Sequence, residues 1–106
     1  MKRYIVKATP KVKSKLKQYV GYLKKVKRSE QAAQALLEDF VETQQSLETV
    51  AGMLKKPDNV ELQKRDLKRI NLIRHNYFLL YRLNDNVVEI VNMFHGLEDY
   101  ENKLEY

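Results

Sequence analysis

The sequence predicts an α+β domain, in which a helical hairpin packs on a small antiparallel sheet in the order β-α-α-β-β-β. Three observations lead to this fold class. Between positions 10 and 54, apolar residues recur at intervals of three and four in two successive stretches. After position 66 the apolar period falls to two, which is typical of strands. The turn-forming cluster at 84–86, Asn-Asp-Asn, then divides the last apolar stretch into two strands.

The first strand and the two helices have recognisable boundaries. Residues 2–8 alternate imperfectly and predict a short strand. Thr9 can cap the first helix with its hydroxyl, and Pro10 fits the first helical position. Ser29 can cap the second helix in the same way. Gly52 and the Lys-Lys-Pro-Asp sequence at 55–58 end it. Since the break between the helices is short, they are expected to be antiparallel neighbours.

The apolar stripes define the predicted buried faces of these two helices. The first stripe is Val12, Leu16, Tyr19, Val20, Leu23 and Val26, and the second is Ala33, Leu36, Leu37, Phe40, Val41, Leu47, Val50, Ala51 and Leu54.

The segment 66–95 predicts a meander of three strands. Its middle strand, from Tyr77 to Leu83, is apolar on both faces. This pattern is typical of a central strand that is covered by helices on at least one side. Arg74 and His75 fall in the predicted turn before it, where His75 is interpreted as a solvated loop residue.

The chain is expected to form one domain, 1–106, because 106 residues fit a single core. It contains no cysteine and only two histidines, His75 and His95, so we predict no metal or other cofactor. Its apolar runs are too short to cross a bilayer. These features predict a cytoplasmic protein without a membrane partner.

The charged residues are segregated along the chain. Residues 1–28 hold 11 lysines and arginines and no acid, whereas residues 29–54 hold five acids and no base. This predicts a basic helix lying beside an acidic one. The net charge of +6 favours an acidic or polyanionic partner, and a solvated lysine-rich face is the alternative.

The order of the elements over most of the chain resembles the RelE/ParE family of bacterial toxins, most specifically in the C-terminal half. The similar segments are NYFLLYR at 76–82, Ile90-Val91 and FHGLEDY at 94–100, together with Gln-Ala-Ala at 31–33 in the second helix. The resemblance implies the predicted fold and a toxin held inactive by a cognate antitoxin. It also implies one of two targets, since RelE-like members cut mRNA on the ribosome and ParE-like members bind DNA gyrase.

We therefore predict the toxin of a type II toxin–antitoxin module that blocks growth by ribosome-dependent mRNA cleavage. The alternatives are a non-enzymatic inhibitor of DNA gyrase and an inactive family member. The oligomeric state does not follow from the sequence.

Cleavage without a metal requires a base, an acid and cations for the phosphate. The predicted catalytic residues are His95 and Tyr100 for proton transfer and Arg69 or Arg74 for the phosphate. A strand-end histidine satisfied by backbone, a tail tyrosine packed on the sheet and a solvated arginine are the alternatives.

Phe78 departs from the nuclease pattern. In RelE-like nucleases an arginine follows the tyrosine of the middle strand, and here that position is Phe78. Losing one preorganised donor costs roughly a hundredfold or more in rate, so Phe78 favours the binding mechanism. The predicted partner-binding residues are then the cations Lys13, Lys17, Lys24 and Arg82.

Overall fold

The computed structural model of the protein describes residues 3–54 and 59–96, with four strands and three helices in these ranges. The elements are β1 (Ile5–Ala8), α1 (Pro10–Lys25), α2 (Glu30–Val50), α3 (Val60–Lys64), β2 (Lys68–Asn71), β3 (Tyr77–Asn84) and β4 (Val87–His95). The predicted helical hairpin and meander are confirmed. The short helix α3, capped by the Asn59 side chain, was not predicted, because five residues are too few to show a period.

The predicted caps are present at both long helices. The hydroxyl of Thr9 accepts from the backbone N–H of Val12 at 3.4 Å, and Pro10 occupies the first turn. The hydroxyl of Ser29 accepts from the N–H of Ala32 at 3.0 Å. These bonds satisfy donors that a helix start otherwise leaves unpaired. Within the described ranges, no helix combines the length and the apolar character that a membrane span needs.

The sheet has the order β1-β4-β3-β2 and is mixed rather than wholly antiparallel. The meander is antiparallel, but β1 pairs with β4 in parallel, from Ile5 opposite Val87 to Ala8 opposite Ile90. The parallel pairing of β1 with β4 follows from the path of the chain through the helical hairpin. Helix α1 continues in the direction of β1, and α2 brings the chain back, so that Glu48 C=O accepts from Tyr4 N–H at 2.8 Å. Strand β2 therefore starts at the end of the sheet where β1 started.

Two cores lie on opposite faces of the sheet. The larger core joins the helical hairpin to one face, through buried side chains that include Leu36, Leu47, Leu79, Tyr81 and Ile90. The smaller core lies on the other face, where Phe78, Leu80 and Phe94 pack with Leu62 and Leu67 from the α3 segment. Strand β3 is thus buried on both faces, as its continuous apolar run predicts.

Candidate functional site

The loop between β2 and β3 is tied to α2 by one buried carboxylate. Asp39 Oδ1 accepts from the backbone N–H of Ile73 at 3.0 Å, and its Oδ2 accepts from the N–H of Arg74 at 2.8 Å. Nδ1 of His75 lies 2.7 Å from the same Oδ2. Because an ionised carboxylate only accepts hydrogen bonds, His75 Nδ1 is the donor in this pair.

The environment of Asp39 keeps it ionised. Its side chain is fully buried, and burial by itself would raise its pKa. The hydrogen bonds from His75, Arg74 N–H and Ile73 N–H outweigh that effect, so the pKa of Asp39 is lowered from the ordinary value of 3.8. The ionised Asp39 carboxylate therefore holds the β2–β3 loop and the His75 ring in position.

Arg74 contacts the acidic helix α2, although its side chain is 58% exposed. Its guanidinium Nη1 donates to Glu42 Oε2 at 2.9 Å and lies 4.0 Å from Asp39 Oδ1. The bond to Glu42 is the main cause of a raised pKa for Arg74. A phosphate bound by Arg74 would have to compete with this carboxylate.

His75 differs from its predicted state. The sequence suggested a solvated loop residue, but the side chain is only 27% exposed and is fixed by Asp39. Because Asp39 accepts the proton of Nδ1, the second ring nitrogen, Nε2, is the one that can bond to another group. Carboxylates orient catalytic imidazoles in the same way. The sequence holds no local sign of this, because His75 and Asp39 lie 36 residues apart.

His95 ends β4 at the same end of the sheet as this loop. Its ring meets the ring of Tyr77 edge-on at 4.8 Å, and Tyr77 meets Tyr19 of α1 at the same distance. The next residue, Gly96, donates its N–H to Asn76 C=O at 2.7 Å. A Cβ at Gly96 would overlap the Asn76 side chain, so a larger residue here would have to displace that side chain.

Arg69 lies on the sheet face opposite the helices. Its guanidinium stacks on the ring of Phe78, 3.8 Å from the centroid, and its Nε donates to Asn71 Oδ1 at 3.0 Å. Phe78 itself is only 1% exposed and packs against Phe94. The position where a RelE-like nuclease has arginine is thus part of the smaller core.

Lys15 and Asn92 form a polar contact that the sequence did not indicate. Lys15 Nζ donates to Asn92 Oδ1 at 2.9 Å and lies 3.7 Å from the centre of the Phe94 ring. Asn92 is fully buried beside a bulge in β4, since Leu80 lies opposite Asn92 and Tyr81 lies opposite Ile90. Its Nδ2 has no acceptor among the described residues.

The predicted partner-binding residues fall in two places. Lys13, Lys17 and Lys24 are exposed on α1 and take part in none of the ion pairs found in the described ranges. Arg82 lies near the β3–β4 turn, 3.7 Å from Glu89 Oε1 on the neighbouring strand. It is at the other end of the sheet from His95.

The structure brings some of the predicted catalytic residues together and separates others. Arg74 and His95 lie at one end of the sheet, where Asn76 C=O bonds to Gly96 N–H. Arg69 lies on the face of Phe78, away from the Tyr77 and His95 rings. Tyr100 lies outside the described residues.

Comparisons with known proteins identify a family and a solved structure of similar fold. The family model described as "ParE toxin of type II toxin-antitoxin system, parDE" matches residues 6–100. A solved structure described as "Chromosomal ParDE TA system from P. aeruginosa" superposes with a TM-score of 0.73. That match has 19% sequence identity and covers 88% of this chain and 96% of the other chain. No curated protein matches the chain.

Proposed function

The chain belongs to the ParE toxin family of type II toxin–antitoxin systems, and from this premise we propose that it arrests growth by binding DNA gyrase rather than by cutting mRNA. Membership of a parDE system implies an antitoxin partner. The choice of gyrase follows from the resemblance to ParE-like toxins, which act by binding, and from the residues that occupy the nuclease positions.

Phe78 is the observation that carries the proposal. A RelE-like nuclease needs a cation at this position to stabilise the charge that builds up on the scissile phosphate. A buried phenylalanine offers none. The guanidinium of Arg69 lies over the Phe78 ring and its Nε donates to Asn71, which favours a packing role for this arginine.

The surroundings of Arg74 and His75 support the same proposal. Both are engaged by carboxylates of α2, and a carboxylate next to a phosphate-binding arginine repels the phosphate. Three exposed cations of α1, Lys13, Lys17 and Lys24, take part in none of the ion pairs found in the described ranges, and this helix contains no acid. We propose that Lys13, Lys17 and Lys24 make the contact with an acidic partner surface.

The decisive experiment measures both activities on the same purified protein. One assay follows the supercoiling of relaxed plasmid by purified DNA gyrase, and the other maps mRNA 5′ ends after cell-free translation. We expect inhibited supercoiling and unchanged 5′ ends. The His95→Ala variant should inhibit gyrase as the parent does, because no chemistry at that histidine is needed.

Two results would contradict the proposal that the chain acts on gyrase. New 5′ ends that appear only with ribosomes, and that disappear in the His95→Ala variant, would establish mRNA cleavage and overturn the gyrase proposal. Normal supercoiling at a molar excess of toxin over gyrase would overturn it as well.

A further inference from the structure

The outer surface of the helical hairpin carries two grooves of opposite charge. The α1 groove, of about 520 Å³, is lined by residues that include Lys17, Gln18, Gly21, Tyr22, Lys25 and Val26. The α2 groove, of about 300 Å³, is lined by Gln34, Leu37, Glu38, Val41 and Glu42. We propose that these grooves pair two copies of this chain, with α1 of each copy packed on α2 of the other.

Both grooves face away from the sheet. Gly21 lies nine residues after the buried Val12, and Glu38 lies nine residues before the buried Leu47. Nine residues correspond to about two and a half helical turns, which places each pair on opposite sides of its helix. Since Val12 and Leu47 both belong to the larger core, Gly21 and Glu38 share the outer side of the hairpin.

Each groove is lined in part by exposed apolar side chains. Tyr22 is 48% and Val26 61% exposed in the α1 groove, and Val41 is 48% exposed in the α2 groove. Exposed apolar side chains that cluster in a groove with a charged rim are typical of interaction sites.

Gly21 lies in the α1 groove, where a partner helix would approach. A Cβ there would point into open space, with no heavy atom within 4 Å. Its φ is negative, so neither backbone conformation nor packing within the described chain explains a glycine in mid-helix. A glycine does allow a second helix to come close.

The charges of the two grooves complement each other. Lys17 and Lys25 take part in none of the ion pairs among the described residues. Glu38 accepts a hydrogen bond from Gln34 at 3.3 Å, and it forms none of these ion pairs, although its charge acts on Arg74. The basic and acidic helices of one chain lie side by side, yet no ion pair found in the described ranges joins Lys17 or Lys25 to α2. Their charges are therefore available to a second molecule.

A two-fold arrangement satisfies both grooves at once. In one chain the α1 groove lies about two helical turns before Arg28 of the hairpin turn, and the α2 groove lies about three turns after it. The two grooves are therefore side by side at nearly the same level. A two-fold axis along the hairpin, between two copies laid face to face, sets each basic groove over the acidic groove of the other copy.

The test uses two complementary charge reversals. One variant carries Lys17→Glu and Lys25→Glu, and the other carries Gln34→Lys and Glu38→Lys. Glu42 is left unchanged because it binds Arg74. Sedimentation equilibrium of the parent chain should show a dimer with a dissociation constant of roughly 10–100 μM, as expected for a small interface. Each variant alone should dimerise at least tenfold more weakly.

Mixing the two variants is the decisive step. In the mixed pair, acidic α1 meets basic α2 and acidic α2 meets basic α1, so an equimolar mixture should regain the affinity of the parent chain. A control carries Lys7→Glu and Arg28→Glu, which lie outside both grooves and change the net charge by the same amount as Lys17→Glu with Lys25→Glu. It should dimerise as the parent does. Circular dichroism verifies that every variant is folded.

Three results would overturn the proposal. The first is a parent chain that stays monomeric at protein concentrations up to and above the expected dissociation constant. The second is charge-reversal variants that dimerise as well as the parent. The third is an equimolar mixture of the two variants that dimerises no better than either variant alone. Gly21→Leu gives an independent check, since a large side chain in the α1 groove should weaken the dimer at least tenfold. None of these measurements uses gyrase, and the supercoiling assay does not measure dimerisation, so the two proposals are tested separately. Lys17 is the one residue that both proposals place in a contact.

Discussion

At the scale of single residues, Asp39 organises the candidate site more than any residue with a predicted role. One carboxylate receives two backbone N–H groups and an imidazole N–H from a loop that lies more than 30 residues away along the chain. Replacing it by a group with one acceptor oxygen would leave buried donors unpaired, which costs more than a single hydrogen bond contributes.

We expect Asp39→Asn to lower the free energy of unfolding by about 2–3 kcal/mol. Chemical denaturation followed by circular dichroism measures this, since the chain has no tryptophan. Asp85→Asn in the exposed β3–β4 turn is the matched control and should change stability little. Equal effects of the two substitutions would show that the Asp39 carboxylate does not hold the β2–β3 loop in position.

The lowered pKa of Asp39 also predicts a dependence of stability on pH. Because its pKa is lower in the folded than in the unfolded chain, its contribution is fully present above the ordinary value of 3.8 and is lost as the pH falls below it. The parent chain should therefore lose more stability than Asp39→Asn between pH 5 and more acidic solution. If the free energy of unfolding of the two proteins changed equally with pH, the pKa of Asp39 would not be lowered by folding.

At the scale of elements, two glycines associated with the hairpin have opposite surroundings. Gly21 lies within α1, where a Cβ would meet open space, whereas a Cβ at Gly52 would overlap the Tyr4 hydroxyl. In the first case alanine improves the intrinsic helix preference at no steric cost. In the second it pushes against a side chain that packs on the larger core.

Gly21→Ala should raise the free energy of unfolding by about 0.5–1 kcal/mol, and Gly52→Ala should lower it by about 1 kcal/mol. Both are measured by thermal unfolding at low protein concentration, where a dimer contributes little. Because both variants replace glycine by alanine, each is the control for the other. A Gly21→Ala variant less stable than the parent would mean that something within the chain occupies the space beside this glycine.

At the scale of the whole molecule, Tyr81 joins the two layers. It lies on the central strand, is fully buried, and donates its hydroxyl to Ala51 C=O at the end of α2, at 2.8 Å. Burial first, and the nearby Tyr4 second, raise the pKa of Tyr81 to about 12. The bond therefore holds the helical hairpin on the sheet well into the alkaline range.

Tyr81→Phe should lower the free energy of unfolding by about 1–2 kcal/mol, because Ala51 C=O loses its donor in a buried position. Tyr22→Phe, at a 48% exposed ring, is the control and should have little effect. Since the folded pKa is raised, the parent chain should lose stability as the pH rises from 10 towards 12, and Tyr81→Phe should lose less. Identical alkaline curves would contradict the role of Tyr81.

Much of the fold could be predicted because its signals are local. Thr9 and Ser29 cap within three residues of their partners, and the stripes of α1 and α2 repeat within one or two turns. The break in period at the meander and the turn at Asp85, where φ is +54°, are equally short-range. The segments at 76–82 and 94–100 carried most of the family resemblance that the match over residues 6–100 confirmed.

The sequence by itself therefore determined the order of the elements, their caps, the doubly buried central strand and the toxin family. Only the tertiary structure decided that β1 pairs in parallel with β4, that Asp39 holds His75, and that Arg69 stacks on Phe78. Asp39 is one of several acids on α2, and nothing within a turn of it marks it as buried. Such contacts join segments brought together by the packing of the hairpin on the sheet, and that packing is a property of the whole chain.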